Sequence, residues 1–485
     1  MTQKRSTGFV RYRKVGSDYL HQRQLRKVVG WELLWFLGVG AVISGDFSGW
    51  NFGLAAGGFW GLAIASALMG IMYLCMVYSI AELSTALPHA GGFYSFVRYA
   101  FGPFAGFICG ITLAIEYVLT PAVIVYFIST YLNTLLPSIP IPFWWFLFYV
   151  VFVTINIRGV ELTMKVGLLI TVVAIIILCI FYFGAVSKTG AFNPALLFNL
   201  PPDPGQSATW LPKGWGGVFK AFPYAIWFYL AIEQLPLAAE EAKDIKDIPK
   251  ALTFGIYTLL ALSIFTLFIN SGVGGGVLAM GKSSAPFADG LKSVFGTGAF
   301  TVILTIIAVS GLIASFHTVI YAYGRVLFSL SRAGYFPEWI SATSPKKIPA
   351  RALILGGIIG FACTAAIQIS GQSGAVGAAL LNMAVFGAVI SYALAMLSYI
   401  KLKRDYPALP RPYKSPLGIW GAGLGTALAL SALFACFADP AYQPGVWGVA
   451  LFLAVGIVYF LFFRSNKLVP QAPEEQAALM ATVPQ

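Results

Sequence analysis

The dominant feature of the sequence is a series of apolar runs, each close to the length of about 20 residues that a helix needs to cross a bilayer. Only 10% of the 485 residues are charged, against about 25% in soluble domains, and this is too little charge to cover a water-facing surface. The sequence therefore predicts an all-α polytopic membrane protein with twelve transmembrane helices, called spans 1–12 below. They are placed at residues 31–56, 58–86, 104–134, 142–157, 164–187, 216–240, 251–276, 297–328, 352–370, 375–400, 416–437 and 445–463.

Lysine and arginine are distributed unequally between the two ends of these spans. With an even number of spans, 26 of the 31 basic residues fall at the end that carries both termini. Cytoplasmic loops are enriched in lysine and arginine, so we expect a multi-pass inner-membrane protein with cytoplasmic tails at 1–30 and 465–485. The net charge of +13 is then a topology signal and requires no nucleic-acid partner. We expect the segment after Lys467 to be disordered.

Two spans contain residues that interrupt a helix. Span 1 has glycine and serine at mid-depth, in 38–49, and span 6 contains Pro223 and Pro236. Glycine loosens a helix and proline removes a backbone hydrogen bond. Spans 1 and 6 hold corresponding positions in two five-span halves, and paired interruptions of this kind are typical of a transporter binding site. The alternative is that these glycines and prolines have no role in binding, since both residues are common in membrane helices.

Three segments resemble conserved motifs of the amino acid–polyamine–organocation permeases. Residues 81–94 with 100–102 resemble the family's segment after span 2, 239–249 its motif after span 6, and 323–337 its motif after span 8. The resemblance implies a 5+5 inverted-repeat fold with broken helices 1 and 6, two extra C-terminal helices, and alternating access without ATP. It divides the chain into a first repeat at 31–187, an extracytoplasmic loop at 188–215, a second repeat at 216–400, a cytoplasmic loop at 401–415 and the last two helices at 416–464.

Within the family, residues 40–54 resemble the ethanolamine permease branch. Family members that carry amino acids hold the substrate carboxylate at a glycine-rich break of span 1, where this chain has Ser44, Gly45 and Asp46. A carboxylate in this place would repel a substrate carboxylate and attract an ammonium group. The departure from the amino acid pattern favours an amine without a carboxylate.

Three acidic residues, Asp46, Glu116 and Glu233, fall well inside predicted spans. An unpaired charge at this depth is costly, so each is a candidate for substrate binding or coupling. For Glu116 the alternative is a protonated or hydrogen-bonded carboxyl that joins helices. Other acids lie near span ends, where we expect pairing with basic residues: Glu82, Glu240 and Glu241.

Aromatic and hydroxyl side chains complete the candidate site. Trp227, where related permeases keep an aromatic gate, and Tyr229 can face a cation, or they can pack against lipid. Resemblance to sodium-coupled relatives points to hydroxyls of span 8 as coupling candidates, namely Ser310, Ser315 and Thr318. His317 can shuttle protons or make a neutral helix contact.

We expect a secondary transporter that imports a small organic amine, ethanolamine first, driven by protons, by sodium or by membrane potential alone. The alternative within the same class is an amino acid or polyamine permease. A membrane enzyme would need a catalytic constellation, and His21, His89 and His317 lie too far apart in the predicted topology to form one. A sensor that binds without transport is a further alternative. No cofactor and no metal site are predicted.

Overall fold

The structure, a computed structural model, describes residues 6–7, 10–371 and 375–481. In this part of the chain, ten helices are long and apolar enough to cross a membrane. One of them, Phe52–Ala86, begins in predicted span 1 and continues through span 2. The others correspond to spans 3, 4, 5, 7, 8, 9, 10, 11 and 12, in that order: Pro103–Leu135, Ile141–Arg158, Val160–Ser187, Asp247–Ser271, Ala299–Arg332, Ala350–Ser370, Ala375–Asp405, Gly418–Ala438 and Gln443–Tyr459.

Span 1 is broken, as its glycine content predicts. It consists of Trp31–Val42 and a short turn of helix, Ser44–Phe47, and the chain becomes helical again at Phe52. The helix Phe52–Ala86 bends sharply at Gly58, which has a φ of 72°. A Cβ atom on Gly53 would lie 2.6 Å from a methyl group of Leu62, a contact that a straight helix does not allow across nine residues. The bend separates spans 1 and 2 where the sequence predicted it.

Span 6 is broken in the matching position. Gly214–Lys220 and Phe222–Ile226 form its first part, and the 3₁₀-helix Ile232–Ala238 forms its second part. Between the two parts, Ala231 has a φ of 83°, which is uncommon for a residue with a side chain.

Shorter elements connect the spans and cover their ends. The two-residue strands Ser6–Thr7 and Val10–Arg11 pair antiparallel. The remaining helices are Ser17–His21, Phe93–Phe101, Pro194–Phe198, Gly276–Met280, Pro286–Phe295, Glu338–Ser341, the π-turn Phe460–Arg464 at the end of span 12, and Pro473–Ala481.

The helix packing follows the two-repeat arrangement. Span 3 packs along span 8, and span 4 packs on span 9. Span 5 packs on span 8 as span 10 packs on span 3, and span 7 packs on span 1 as span 6 packs on span 2. Spans that are five apart in number hold equivalent positions in the two repeats. Exchanging equivalent spans turns each of these packing pairs into another pair of the set or into itself. Spans 11 and 12 lie outside both repeats and pack against span 10.

Large apolar side chains point outward from the bundle. Phe183 is 76% exposed, Trp447 is 70% exposed and Trp420 is 91% exposed. A continuous apolar surface of this kind is unfavourable in water and matches the hydrocarbon region of a bilayer.

The expectation of a disordered C-terminal segment is wrong. Residues 473–481 form a helix in which Glu474 and Glu475 are 1% and 0% exposed, because arginine and tyrosine side chains of the bundle bind their carboxylates. The parts of the predicted tails at 1–5, 8–9 and 482–485 lie outside the described residues.

Candidate functional site

The interruptions of spans 1 and 6 touch each other. A Cβ atom on Gly45 would lie 1.9 Å from the carbonyl oxygen of Trp227, so only glycine fits this contact. Gly49 has a φ of 96°, and a Cβ atom there would lie 3.0 Å from the indole of Trp227. The structure therefore brings together two of the predicted features, the glycine-rich break of span 1 and the aromatic residue of span 6.

Asp46 is buried between spans 1 and 7. Its Oδ1 atom accepts a hydrogen bond of 2.8 Å from Thr266, whose hydroxyl also lies 2.5 Å from that of Tyr182 on span 5. Oδ2 has no hydrogen-bond partner among the described residues. Asp46 also takes part in none of the ion pairs formed within the described residues. A cation or a proton is needed to balance an ionised carboxylate held in this way.

Glu116 and Glu233 form a second acidic site, between spans 3 and 6. The two carboxyl groups lie close enough to influence each other electrostatically, and neither carboxyl oxygen of Glu116 has a hydrogen-bond partner among the described residues. Tyr392 of span 10 donates a hydrogen bond of 2.8 Å to Glu233 and receives one of 3.1 Å from Tyr73. Two ionised carboxylates so close together repel each other, so the pair requires a proton or a bound cation.

Glu233 also stabilises the break in its own span. Its Oε1 atom accepts a hydrogen bond of 3.1 Å from the backbone N–H of Ala231, the residue with positive φ. The same carboxyl group that faces Glu116 therefore also holds the backbone of span 6 at its break.

Ser315 joins the two helical parts of span 1. Its hydroxyl donates to the carbonyl of Gly40 at 2.9 Å and accepts from the N–H of Ser44 at 3.0 Å. On the same stretch of span 1, a Cβ atom on Gly40 would lie 2.6 Å from the hydroxyl of Thr171, a residue of span 5. Oxygen atoms of spans 1, 5 and 8 therefore meet here, which is the ligand type that a sodium ion takes.

The hydroxyl groups of the other two coupling candidates on span 8, Thr318 and Ser310, make no hydrogen bond to span 1 within the described residues. Thr318 donates within its own helix, to Ala314, and turns its methyl group toward Gly40. The Ser310 hydroxyl has no hydrogen-bond partner among the described residues.

Among the described residues, the ring nitrogens of His317 contact neighbouring helices. Its Nε2 atom lies 2.8 Å from the carbonyl of Thr163, and Nδ1 lies 3.2 Å from the side-chain amide of Asn156. If Nε2 carries the proton, Nδ1 is free to accept from the amide, and both nitrogens of a neutral ring are satisfied. This geometry favours the neutral helix contact over a proton shuttle.

Tyr229 likewise bonds to neighbouring helices. Its hydroxyl contacts the carbonyl of Ser66 and the hydroxyl of Ser263, at 3.2 and 3.0 Å. These bonds support a packing role.

A cavity of about 850 Å³ opens on the face opposite the termini. Its lining includes Gly49 and Trp227 from the two interruptions, Tyr224 from span 6, and Asp439 from the loop between spans 11 and 12. Asp46, Glu116 and Glu233 do not line it. Trp227 therefore stands between the cavity and the contact of the two interrupted spans.

The face that carries both termini, called the basic face below, is closed by ion pairs. Arg325 binds Glu241 at 2.8 Å, Arg332 binds Glu240 at 2.9 Å, and Glu82 contacts both Lys403 and Arg411. The three glutamates that we expected to pair with basic residues do so. Burial lowers the pKa of the nearby His89 to about 4, so its ring is neutral at physiological pH.

Sequence reasoning missed four side chains that position these groups: Tyr73, Thr171, Thr266 and Tyr392. Each is a polar residue within an apolar span, but hydroxyl residues are frequent in membrane helices. Only the packing identifies which of them contact the acids or span 1.

Comparison with known proteins identifies the family. A family model described as amino acid permease matches residues 30–463. The chain belongs to this family. Among similar proteins are an uncharacterised transporter of Rhizobium meliloti (26% identical, covering 91% of this chain and 93% of the relative) and a branched-chain amino acid permease of Bacillus subtilis (25%, 93% and 96%). A methylthioribose transporter of Bacillus subtilis is 24% identical, over 90% of this chain and 93% of the relative.

The contact between the two interruptions can be tested with a single methyl group. Gly45→Ala forces a Cβ atom into the Trp227 carbonyl, so we expect a loss of about 1–3 kcal/mol in stability, typical of overpacking. Gly423→Ala is the matched control, because a Cβ atom there meets nothing within 4 Å. Thermal unfolding of the purified variants in detergent measures both, and equal melting temperatures would contradict the close approach.

Proposed function

We propose that the protein is a secondary transporter that imports an amino acid across the inner membrane by alternating access. The observation that carries the proposal is the set of buried carboxyl groups at the interrupted spans, which no basic side chain among the described residues compensates. An ammonium group of a substrate supplies the missing positive charge. The cavity on one face and the ion-paired closure of the other match one end state of an alternating-access cycle.

An amino acid takes first place ahead of ethanolamine because of two lines of support. Relatives named for branched-chain amino acids and, putatively, for histidine cover most of this chain. In addition, the Asp46 carboxyl is bonded to Thr266 of span 7, while the contacts with Trp227 are made by Gly45 and Gly49. A substrate carboxylate at the break is then separated from Asp46 by the backbone of span 1.

Ethanolamine is the second candidate. It is favoured by Asp46 within the segment 44–46, where an amine without a carboxylate meets no repulsion.

Uptake into proteoliposomes tests the substrate assignment. We expect a labelled amino acid to accumulate, with uptake reduced at least tenfold, or about 1.4 kcal/mol, in Asp46→Asn. Asp405→Asn is the matched control, because Asp405 is solvent-exposed and pairs only with Lys401 among the described residues. Uptake of ethanolamine that no amino acid inhibits would overturn the amino acid assignment. Equal loss in both variants would contradict the role of Asp46.

For coupling, we propose that the Glu116–Glu233 pair carries a proton. In Glu116→Gln an amide imitates the protonated carboxyl permanently. We therefore expect this variant to keep exchange of substrate across the membrane but to lose the acceleration of net uptake by an inward proton gradient. The control is Glu161→Gln, which alters an exposed glutamate paired with Lys165.

The alternative of sodium coupling gives the opposite pattern. Uptake that follows a sodium gradient, is unaffected by Glu116→Gln, and is lost in Ser315→Ala would contradict proton coupling and assign the ion to the oxygen atoms around Gly40.

We also propose that the basic face is cytoplasmic, since lysine and arginine are retained on that side of inner membranes. In a variant without the native cysteines, Lys220→Cys borders the cavity and Lys346→Cys lies exposed on the basic face. We expect a membrane-impermeant maleimide to label position 220 in intact cells and position 346 only after lysis. The reverse pattern would contradict the orientation.

A further inference from the structure

The C-terminal helix Pro473–Ala481 is docked on the basic face through two adjacent buried glutamates. Glu475 accepts from Arg98 at 2.8 Å and from Tyr335 at 2.8 Å. Glu474 forms an ion pair with Arg332 at the end of span 8. Arg98 belongs to the helix Phe93–Phe101 between spans 2 and 3, so the two carboxylates connect separate parts of the bundle.

Arg332 is shared between this helix and span 6. The same guanidinium binds Glu240, which follows the second part of span 6, and it donates to the carbonyl of Arg23 at 3.3 Å. Arginine can hold two carboxylates at once because its five N–H groups form a fixed fork. The C-terminal helix, span 6, span 8 and the N-terminal segment therefore converge on one buried charge.

The N-terminal segment fastens the same structure from the other side. The backbone N–H groups of Arg11 and Arg13 donate to the carbonyls of Ser465 and Leu468, at 2.8 and 2.7 Å. The hydroxyl of Tyr12 accepts from Arg98 at 2.7 Å. Both terminal segments thus bind to each other and to the groups that close the basic face.

A path through the basic face requires these groups to separate. The pairs of Glu240 with Arg332 and of Glu241 with Arg325 join the span 6 side to span 8, and we expect both pairs to separate when this face opens in an alternating-access cycle. The C-terminal helix binds Arg332 and Arg98 as they are placed in the closed form. A group that binds one of two states more tightly shifts the equilibrium toward that state.

We infer that the C-terminal helix is an intramolecular clamp that holds the basic face closed, and that it must release Arg98 and Arg332 before this face opens. The inference rests on the proposed alternating access. Removal of the clamp leaves Arg332 with Glu240, but Arg98 then loses its only carboxylate partner among the described residues. The clamp therefore adjusts the balance between the closed and open states of this face.

The test measures opening directly and needs no substrate. Ser329 is buried and lies on the same face of span 8 as Arg325 and Arg332, because residues three, four and seven apart share a helix face. In a variant without native cysteines, the alkylation rate of Ser329→Cys reports access to the closed face. We expect Glu474→Gln combined with Glu475→Gln, and separately deletion of 473–485, to raise this rate at least threefold.

Gln476→Ala is the matched control, since Gln476 is the exposed neighbour of both glutamates and should leave the rate unchanged. Melting temperatures identify any variant that fails to fold, and the glutamine variants, which keep the helix length, then decide. An unchanged alkylation rate in folded tail variants would overturn the clamp. Because the readout is independent of uptake, failure of the proposed substrate would leave the result interpretable.

Discussion

The structure depends on three acidic side chains that are buried in the helical bundle without a basic partner among the described residues. Asp46, Glu116 and Glu233 are 1%, 0% and 1% exposed, and none forms an ion pair with a basic residue in the described part of the chain. Asp46 and Glu233 accept hydrogen bonds from hydroxyl and backbone groups, and the Glu116 carboxyl accepts none from the described residues. Isolated ionised carboxylates are expensive at this depth. The interior therefore needs a cation or protons to neutralise these carboxyl groups. Asp46 and Glu233 lie at the interruptions of spans 1 and 6, next to backbone that is not helical.

The interior of the bundle and its basic face use charge in opposite ways. On the basic face, each buried acid meets an arginine or lysine, and the resulting pairs close the structure. Breaking such a pair leaves an uncompensated charge, which is costly unless both partners reach water together. Ion pairs therefore keep the face closed while they are shielded from water, and they can separate once water reaches both partners. This property suits a face that opens and closes during transport.

Much of the fold could be predicted from the sequence because membrane spans follow from local composition. The boundary at residue 57, the existence of interruptions in spans 1 and 6, and the pairing of Glu82, Glu240 and Glu241 all follow from glycine, proline and charge positions, whereas the position of the span 6 break at Ala231 comes from the structure. The binding partners of the buried acids could not be predicted in this way. Thr266 and Tyr392 reach Asp46 and Glu233 across 220 and 159 residues of sequence. The helical C-terminal segment was missed for a related reason: its glutamates suit water, and the groups that give them a buried site, Tyr12, Arg98, Arg332 and Tyr335, lie on elements distant in sequence.

We propose that the buried carboxyl groups exchange protons when an amine-bearing substrate binds. The most direct measurement is calorimetric titration of the purified protein with its amino acid substrate in two buffers of different ionisation enthalpy, which counts the protons taken up or released per substrate bound. We expect a measurable proton exchange in the wild type that disappears in Glu116→Gln while binding persists. Binding with no proton exchange in the wild type, or with the same exchange in both proteins, would contradict it.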